Sequence, residues 1–234
     1  MRVARGSLGW CYRYAMTHPV RTVLFDLDGT LLDSIGLILG AFREMMRVHH
    51  GTVPPDEVWL RGVGTPLARQ IADLADGPEQ AEAMRVTYAA YSVEHHDSAT
   101  DAFPGVRELV RTLHHEGVAL GVVTSKRRVG ALRGLRRMGL EPLIGAVVAA
   151  DDVERPKPHP QPVLQALELL GSDAASAVFI GDSTHDMESG RAAGVRTGAA
   201  LWGPFSREAL AVHEPTWWFE RPGDLIHVLL GDAA

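Results

Sequence analysis

Asp26 and Asp28 stand one residue apart in the stretch Val23 to Asp33, Val-Leu-Phe-Asp-Leu-Asp-Gly-Thr-Leu-Leu-Asp. The apolar run Val23, Leu24, Phe25 reads as a strand buried on both faces. Alternation along an extended chain sends Leu27 to one side and both carboxylates to the other, so the two charges share the space at the strand's carboxyl end. Such a pair repels unless a cation holds it. Mg²⁺ suits the place, because it takes one or two carboxylates together with phosphate oxygens and water, and open α/β sheets bind ligands at that edge. Gly29 breaks the strand and Thr30 turns it. A strand end whose aspartates only cap the next loop has the same local look, so the motif needs company.

Company comes from three later segments, each just after an apolar run that reads as a strand. Thr124 follows Val118 to Val123. Lys157 lies in a proline-flanked loop after Ala146 to Ala149, and Asp182 and Asp186 follow Ala177 to Ile180. Parallel strands gather such clusters at one sheet edge. Alone, Thr124 passes for a helix N-cap, Lys157 for a solvated loop lysine, and Asp182 with Asp186 for acidic residues in a first helical turn. Together they form a set suited to phosphoryl transfer, which needs a nucleophile, a cation, donors for the oxygens and help for the leaving group.

With its DxDGT strand end and these three clusters in this order, the chain from about Thr22 onward resembles the haloacid dehalogenase-like hydrolases. The resemblance implies that Asp26 is a nucleophile forming an aspartyl-phosphate and that Asp28 is general acid and then base, its carbonyl oxygen also meeting the metal. It further implies that Thr124 donates to a phosphoryl oxygen and that Lys157 offsets the crowded negative charge. Asp182 completes an Mg²⁺ site with Asp26, while Asp186 orients the metal shell or Lys157. Arg61, Gly64, Ser125 and Lys126 are candidates for substrate contact.

The remaining pattern says what positions these groups. Strands and helices alternate from Val106 to the end, with a further strand at Val195 to Leu201, and this alternation points to an α/β, doubly wound parallel sheet of Rossmann-like form covered on both faces. Between Asp33 and Thr100 no buried strand is legible. The apolar positions of Ile35 to Met46 recur at helical spacing behind Ser34 as N-cap, and Glu79 to Val93 also reads as helix. This is an inserted helical domain, which the resemblance makes a cap over the active site. The expected division is an N-terminal extension at 1–18, a core of 19–33 and 101–234, and a cap of 34–100, with hinges at Asp33 to Ser34 and Thr100 to Phe103. Within the extension, Met16 is an alternative start.

Composition removes other classes. Of 234 residues, 46% are hydrophobic and 22% charged, ordinary for a globular protein, and a net charge of −6 argues against a nucleic-acid surface. The single cysteine, Cys11, forms no internal disulfide and fits a reducing cytoplasm. No run approaches the roughly 20 apolar residues of a membrane span. The adjacent pairs His49–His50, His95–His96 and His114–His115 diverge on a helix, so they are expected at the surface and not on a metal. Trp202, Trp217, Trp218 and Phe219 are expected to pack the last strand and helix.

The expected activity is Mg²⁺-dependent hydrolysis of a small phosphorylated metabolite resembling 2-phosphoglycolate. Inorganic pyrophosphate hydrolysis and a sugar-phosphate mutase are the enzymatic alternatives within the family. A phosphate-sensing binding protein is the non-enzymatic one, although it has no need of the complete residue set.

Overall fold

A computed structural model describes residues 19–231. The extension expected at 1–18 lies outside the described residues. Six parallel strands form one sheet: β1 (Thr22–Phe25), β4 (Ala119–Val123), β5 (Ala146–Val148), β6 (Ala177–Gly181), β7 (Arg196–Ala200) and β8 (Trp217–Phe219), in the order β5-β4-β1-β6-β7-β8. The first strand is therefore central. The chain winds outward from it in one direction through β4 and β5 and in the other through β6, β7 and β8, which makes the carboxyl end of β1 the point where the connections diverge and a crevice opens. The last strand, at Trp217–Phe219, carries aromatic residues expected to pack there.

Alternation along β1 fills both layers. Val23 and Phe25 face a cluster with Leu120, Val122, Val178 and Ile180, closed by helices α5 (Val106–His115), α6 (Arg128–Met138) and α10 (Asp224–Leu230). Leu24 faces the opposite layer with Phe179, Val163, Ala166 and Leu167, the last three from helix α7 (Gln161–Leu170). Each fully buried large side chain of this kind contributes about 1.5–3 kcal/mol, so the central strand is anchored from both faces and its last residue has little freedom to shift.

Residues 35–99 form helices α1 (Ile35–His50), α2 (Asp56–Leu60), α3 (Leu67–Ala72) and α4 (Pro78–Ala99). The stripe Leu37, Ala41, Phe42, Met45 and Met46 buries one face of α1. There Phe42 stacks on Trp59 with ring centroids 4.5 Å apart, and Met84 and Tyr88 of α4 join the same cluster. Gly51, in the left-handed conformation, ends α1. The two crossings between this helical unit and the sheet pair with each other: strands β2 (Leu32–Asp33) and β3 (Asp101–Ala102) run antiparallel, Leu32 opposite Ala102 and Asp33 opposite Asp101. No helix among the described residues is long and apolar enough to cross a membrane.

Two local expectations are corrected. His96 is buried, at 4% exposure, instead of lying at the surface, and its Nδ1 meets Asp97 Oδ1 at 2.8 Å. Ser34 does occupy the N-cap position of α1, but its hydroxyl makes no capping bond and donates instead to Asp28 Oδ1 at 2.6 Å.

Candidate active site

Strand register brings the polar clusters together. Phe25, the last residue of β1, is level with Val122 and Ile180, so Asp26 stands beside Val123 and Gly181, the last residues of β4 and β6, with Thr124 and Asp182 one step beyond. Carboxylate oxygens of Asp26, Asp182 and Asp186 lie within 4.8 Å of one another, all three residues buried. Lys157 reaches them from its loop. Its Nζ lies 2.9 Å from Asp26 Oδ1 and 2.6 Å from Asp186 Oδ1, and the side chain is almost wholly enclosed.

Each carboxylate is committed differently. Both oxygens of Asp186 are engaged, Oδ1 by Lys157 and Oδ2 by the Ser183 amide at 3.0 Å and hydroxyl at 2.6 Å, in the capping box that starts helix α8 (Thr184–Ala192). Asp26 Oδ1 accepts from the Leu27 amide at 2.7 Å as well as facing Lys157, while Oδ2 has no donor among the described residues. Asp182 Oδ1 accepts from Thr30 Oγ1 at 2.6 Å, but its Oδ2 is buried without any partner. A buried carboxylate oxygen left bare costs of order 1–3 kcal/mol or more.

The carboxylates crowd one another. Burial, reinforced by Asp186, pushes the Asp26 carboxyl up to about 7 in spite of Lys157. Burial and then the charges of Asp26 and Asp186 hold Asp182 well above the usual carboxylate range. Burial opposes the Lys157 ammonium, yet Asp186 and Asp26 outweigh it and keep its pKa above the ordinary lysine value. Three carboxylates against one ammonium leave an excess of two negative charges in a dry place, which a divalent cation cancels. An all-oxygen donor set in which Asp182 Oδ2 is bare and buried fits a hard cation.

Asp28 stands apart from that cluster. It is half-buried, and its carboxylate accepts from Ser34 and from Lys126 Nζ at 2.8 and 3.0 Å. Lys126 thus faces Asp28. The Thr124 hydroxyl, buried at the end of β4, accepts from the Lys126 amide at 3.1 Å; α6 begins only at Arg128, so Thr124 is not its N-cap. Ser125 Oγ donates to the Gly64 carbonyl at 2.5 Å. Gly64 is therefore at the sheet edge, whereas Arg61 is exposed at the end of α2 and its guanidinium has no partner among the described residues.

Three residues that the sequence did not mark as part of the site also shape it. Thr30 orients Asp182, and the indole N–H of Trp202 donates to the Thr30 carbonyl at 2.9 Å, so this tryptophan braces the site as well as packing. His185 meets the loop that holds Gly64: its Nε2 lies 3.5 Å from Thr65 Oγ1. The only available sign of His185 was its place beside Asp186, and no spacing links Thr30 with Asp182 across 152 positions.

The chain is similar in sequence and fold to known proteins. The family described as haloacid dehalogenase-like hydrolase matches residues 23–200. Pyrophosphatase PpaX of Anoxybacillus flavithermus is 36% identical over 210 residues, covering 90% of this chain and 97% of that protein. Pyrophosphatase PpaX of Bacillus pumilus is also 36% identical, over 213 residues, covering 91% and 98%. Among solved structures, one from Lactobacillus plantarum, provisionally named a phosphoglycolate phosphatase, superposes with a TM-score of 0.80 at 27% identity, covering 90% of this chain and 99% of that one. With two-thirds of its length or more matched in family, sequence and fold, and with the acidic cluster at the central strand's end, the chain belongs to the haloacid dehalogenase-like hydrolases.

Proposed function

We propose that this protein is an Mg²⁺-dependent phosphatase that splits a small phosphorylated compound through an aspartyl-phosphate on Asp26, with inorganic pyrophosphate as the first substrate to test. The observation that carries the reading is the buried cluster of Asp26, Asp182 and Asp186, with carboxylate oxygens within 4.8 Å of one another, in which Asp182 Oδ2 is bare and Lys157 Nζ lies 2.9 Å from Asp26 Oδ1. Pyrophosphate ranks ahead of 2-phosphoglycolate because relatives at 36% identity are named pyrophosphatases, whereas the phosphoglycolate name is carried by a structural neighbour at 27%.

Asp26 Oδ2 attacks phosphorus, the bond to the leaving oxygen breaks, and Asp28 gives that oxygen its proton. Asp28 then takes a proton from the water that cleaves the acyl phosphate, which restores Asp26 and releases phosphate. Thr124 donates its hydroxyl to a phosphoryl oxygen, and Lys157 steadies the charge on Asp26 and the transferring group. Asp26 and Asp182 would hold Mg²⁺, with Asp186 fixing Lys157, and the ion would supply positive charge against the phosphoryl oxygens.

The test is phosphate release from pyrophosphate, 2-phosphoglycolate, sugar phosphates and nucleotides, each with Mg²⁺ and with a chelator. Mg²⁺-dependent release, fastest from pyrophosphate, is expected. Preference for 2-phosphoglycolate would reverse the substrate order, and no release from any compound would refute the phosphatase reading.

A further inference from the structure

The loop between α2 and α3 is seated on the sheet edge by two core side chains. Ser125, just past β4, donates its hydroxyl to the Gly64 carbonyl at 2.5 Å, and His185, in the first turn after β6, places Nε2 3.5 Å from Thr65 Oγ1. Because β1 lies between β4 and β6, a loop held at both flanks passes over the end of β1, where Asp26 is.

The loop is shaped for this seat. Gly64 has φ +94°, a conformation that side chains resist, and a Cβ there would lie 2.9 Å from Ser183 Oγ and 3.3 Å from His185 Nδ1. Gln70 Nε2 donates to the Thr65 carbonyl at 2.8 Å and the Thr65 amide donates to the Gly62 carbonyl at 2.9 Å, so the turn is braced from its own helical side. Contact with Ser183 matters because its hydroxyl also holds Asp186.

We propose that Ser125 and His185 are the core half of a clasp whose other half is the Gly64–Thr65 turn, and that they act as positioning residues by holding the helical cap shut over Asp26. The clasp's effect on turnover rests on the phosphatase reading; the clasp itself is a matter of cap position. Its geometry gives Ser125 a task other than touching substrate. A ligand that needs the shut form has an apparent dissociation constant that rises as the inverse of the fraction of protein in that form.

The experiment places spin labels on the full chain at two exposed sites, Val86→Cys on α4 and Leu169→Cys on α7, in a Cys11→Ser background, and compares the distance distribution of the parent with Ser125→Ala, Ser125→Thr and His185→Ala. Loss of one hydrogen bond is expected to lower the ratio of short to long distances by about threefold to tenfold in Ser125→Ala. His185→Ala shifts it in the same direction but less, because its contact is longer, and Ser125→Thr restores the parent ratio. With the fastest substrate, KM rises in Ser125→Ala by the factor by which the measured shut fraction falls, while kcat changes little. An unchanged distribution in Ser125→Ala overturns the clasp, and a raised KM with an unchanged distribution does so too, by making Ser125 a substrate contact. The distances are read without catalysis, so a parent protein that releases no phosphate refutes the phosphatase reading separately.

Discussion

Lys126 Nζ sits 2.8 Å from Asp28 Oδ1 and 3.0 Å from Oδ2, astride the carboxylate that Ser34 also holds. A lysine placed this way acts through Asp28. Asp28→Asn is expected to lower kcat about 10²- to 10⁴-fold, the usual worth of a general acid and base. Lys126→Ala costs less, and the double variant is no slower than Asp28→Asn alone. Steady-state rates of the three proteins decide the matter: additive losses would put Lys126 on the substrate instead.

Removal of Lys157 strands its two partners. Asp26 and Asp186 lose their shared counter-charge in an enclosed space, and breaking a buried pair from one side costs about 3–5 kcal/mol. Lys157→Met in chelator should therefore unfold at a much lower denaturant concentration than the parent, with part of the loss recovered on adding Mg²⁺. Equal midpoints for the two proteins in chelator would contradict the ion-pair account.

The metal-free protein should lose stability as pH rises. Between the ordinary aspartate value of 3.8 and about 7, the unfolded chain releases the Asp26 proton while the folded protein keeps it, and Asp182 shifts in the same direction. The folded state then binds more protons than the unfolded one, so stability falls across that window. Raised Lys157 acts in the same sense, but only above the ordinary lysine value, outside this range. Melting temperature in chelator should drop from pH 5 to pH 8, and the increment given by Mg²⁺ should be larger at pH 8. A melting temperature that climbs over this interval in chelator would count against the crowded-carboxylate picture.

Gly29 packs closely against Asp182. Its φ is +88°, and a Cβ there would lie 2.5 Å from Asp182 Oδ2, the bare oxygen. Gly29→Ala is expected to push that oxygen aside and weaken divalent-cation affinity about 10- to 100-fold, the scale seen when the support of a metal ligand is lost. Calorimetric titration with Mn²⁺ measures this, and parent-like affinity would show that Asp182 Oδ2 takes no part.

Much of this arrangement was legible because strand periodicity and local punctuation agree. Val23 to Phe25, Val118 to Val123 and Ala177 to Ile180 are apolar on both faces and end in polar residues, which is how a buried parallel strand meets a ligand crevice. The α1 stripe likewise announces its buried face. Less was legible where a residue's role depends on distant partners. The choice of Lys126 for Asp28, of Ser125 for Gly64 and of Trp202 for the Thr30 carbonyl spans from 61 to 172 positions, and only the folded chain sets those meetings. His96 was misplaced for a related reason. Polar type favours the surface, but His96 lies at the last turn of α4 beside the return to the sheet, where its Nδ1 meets Asp97 and its carbonyl accepts from Thr100 Oγ1.

The most direct measurement of the central claim is Mg²⁺-dependent phosphate release by the parent protein and by Asp26→Asn, with pyrophosphate as substrate and folding of both checked by their melting curves. Release by the parent and none above background by the folded Asp26→Asn protein is the result expected of a nucleophile. Equal rates from the two proteins would contradict the assignment of Asp26 and the aspartyl-phosphate route with it.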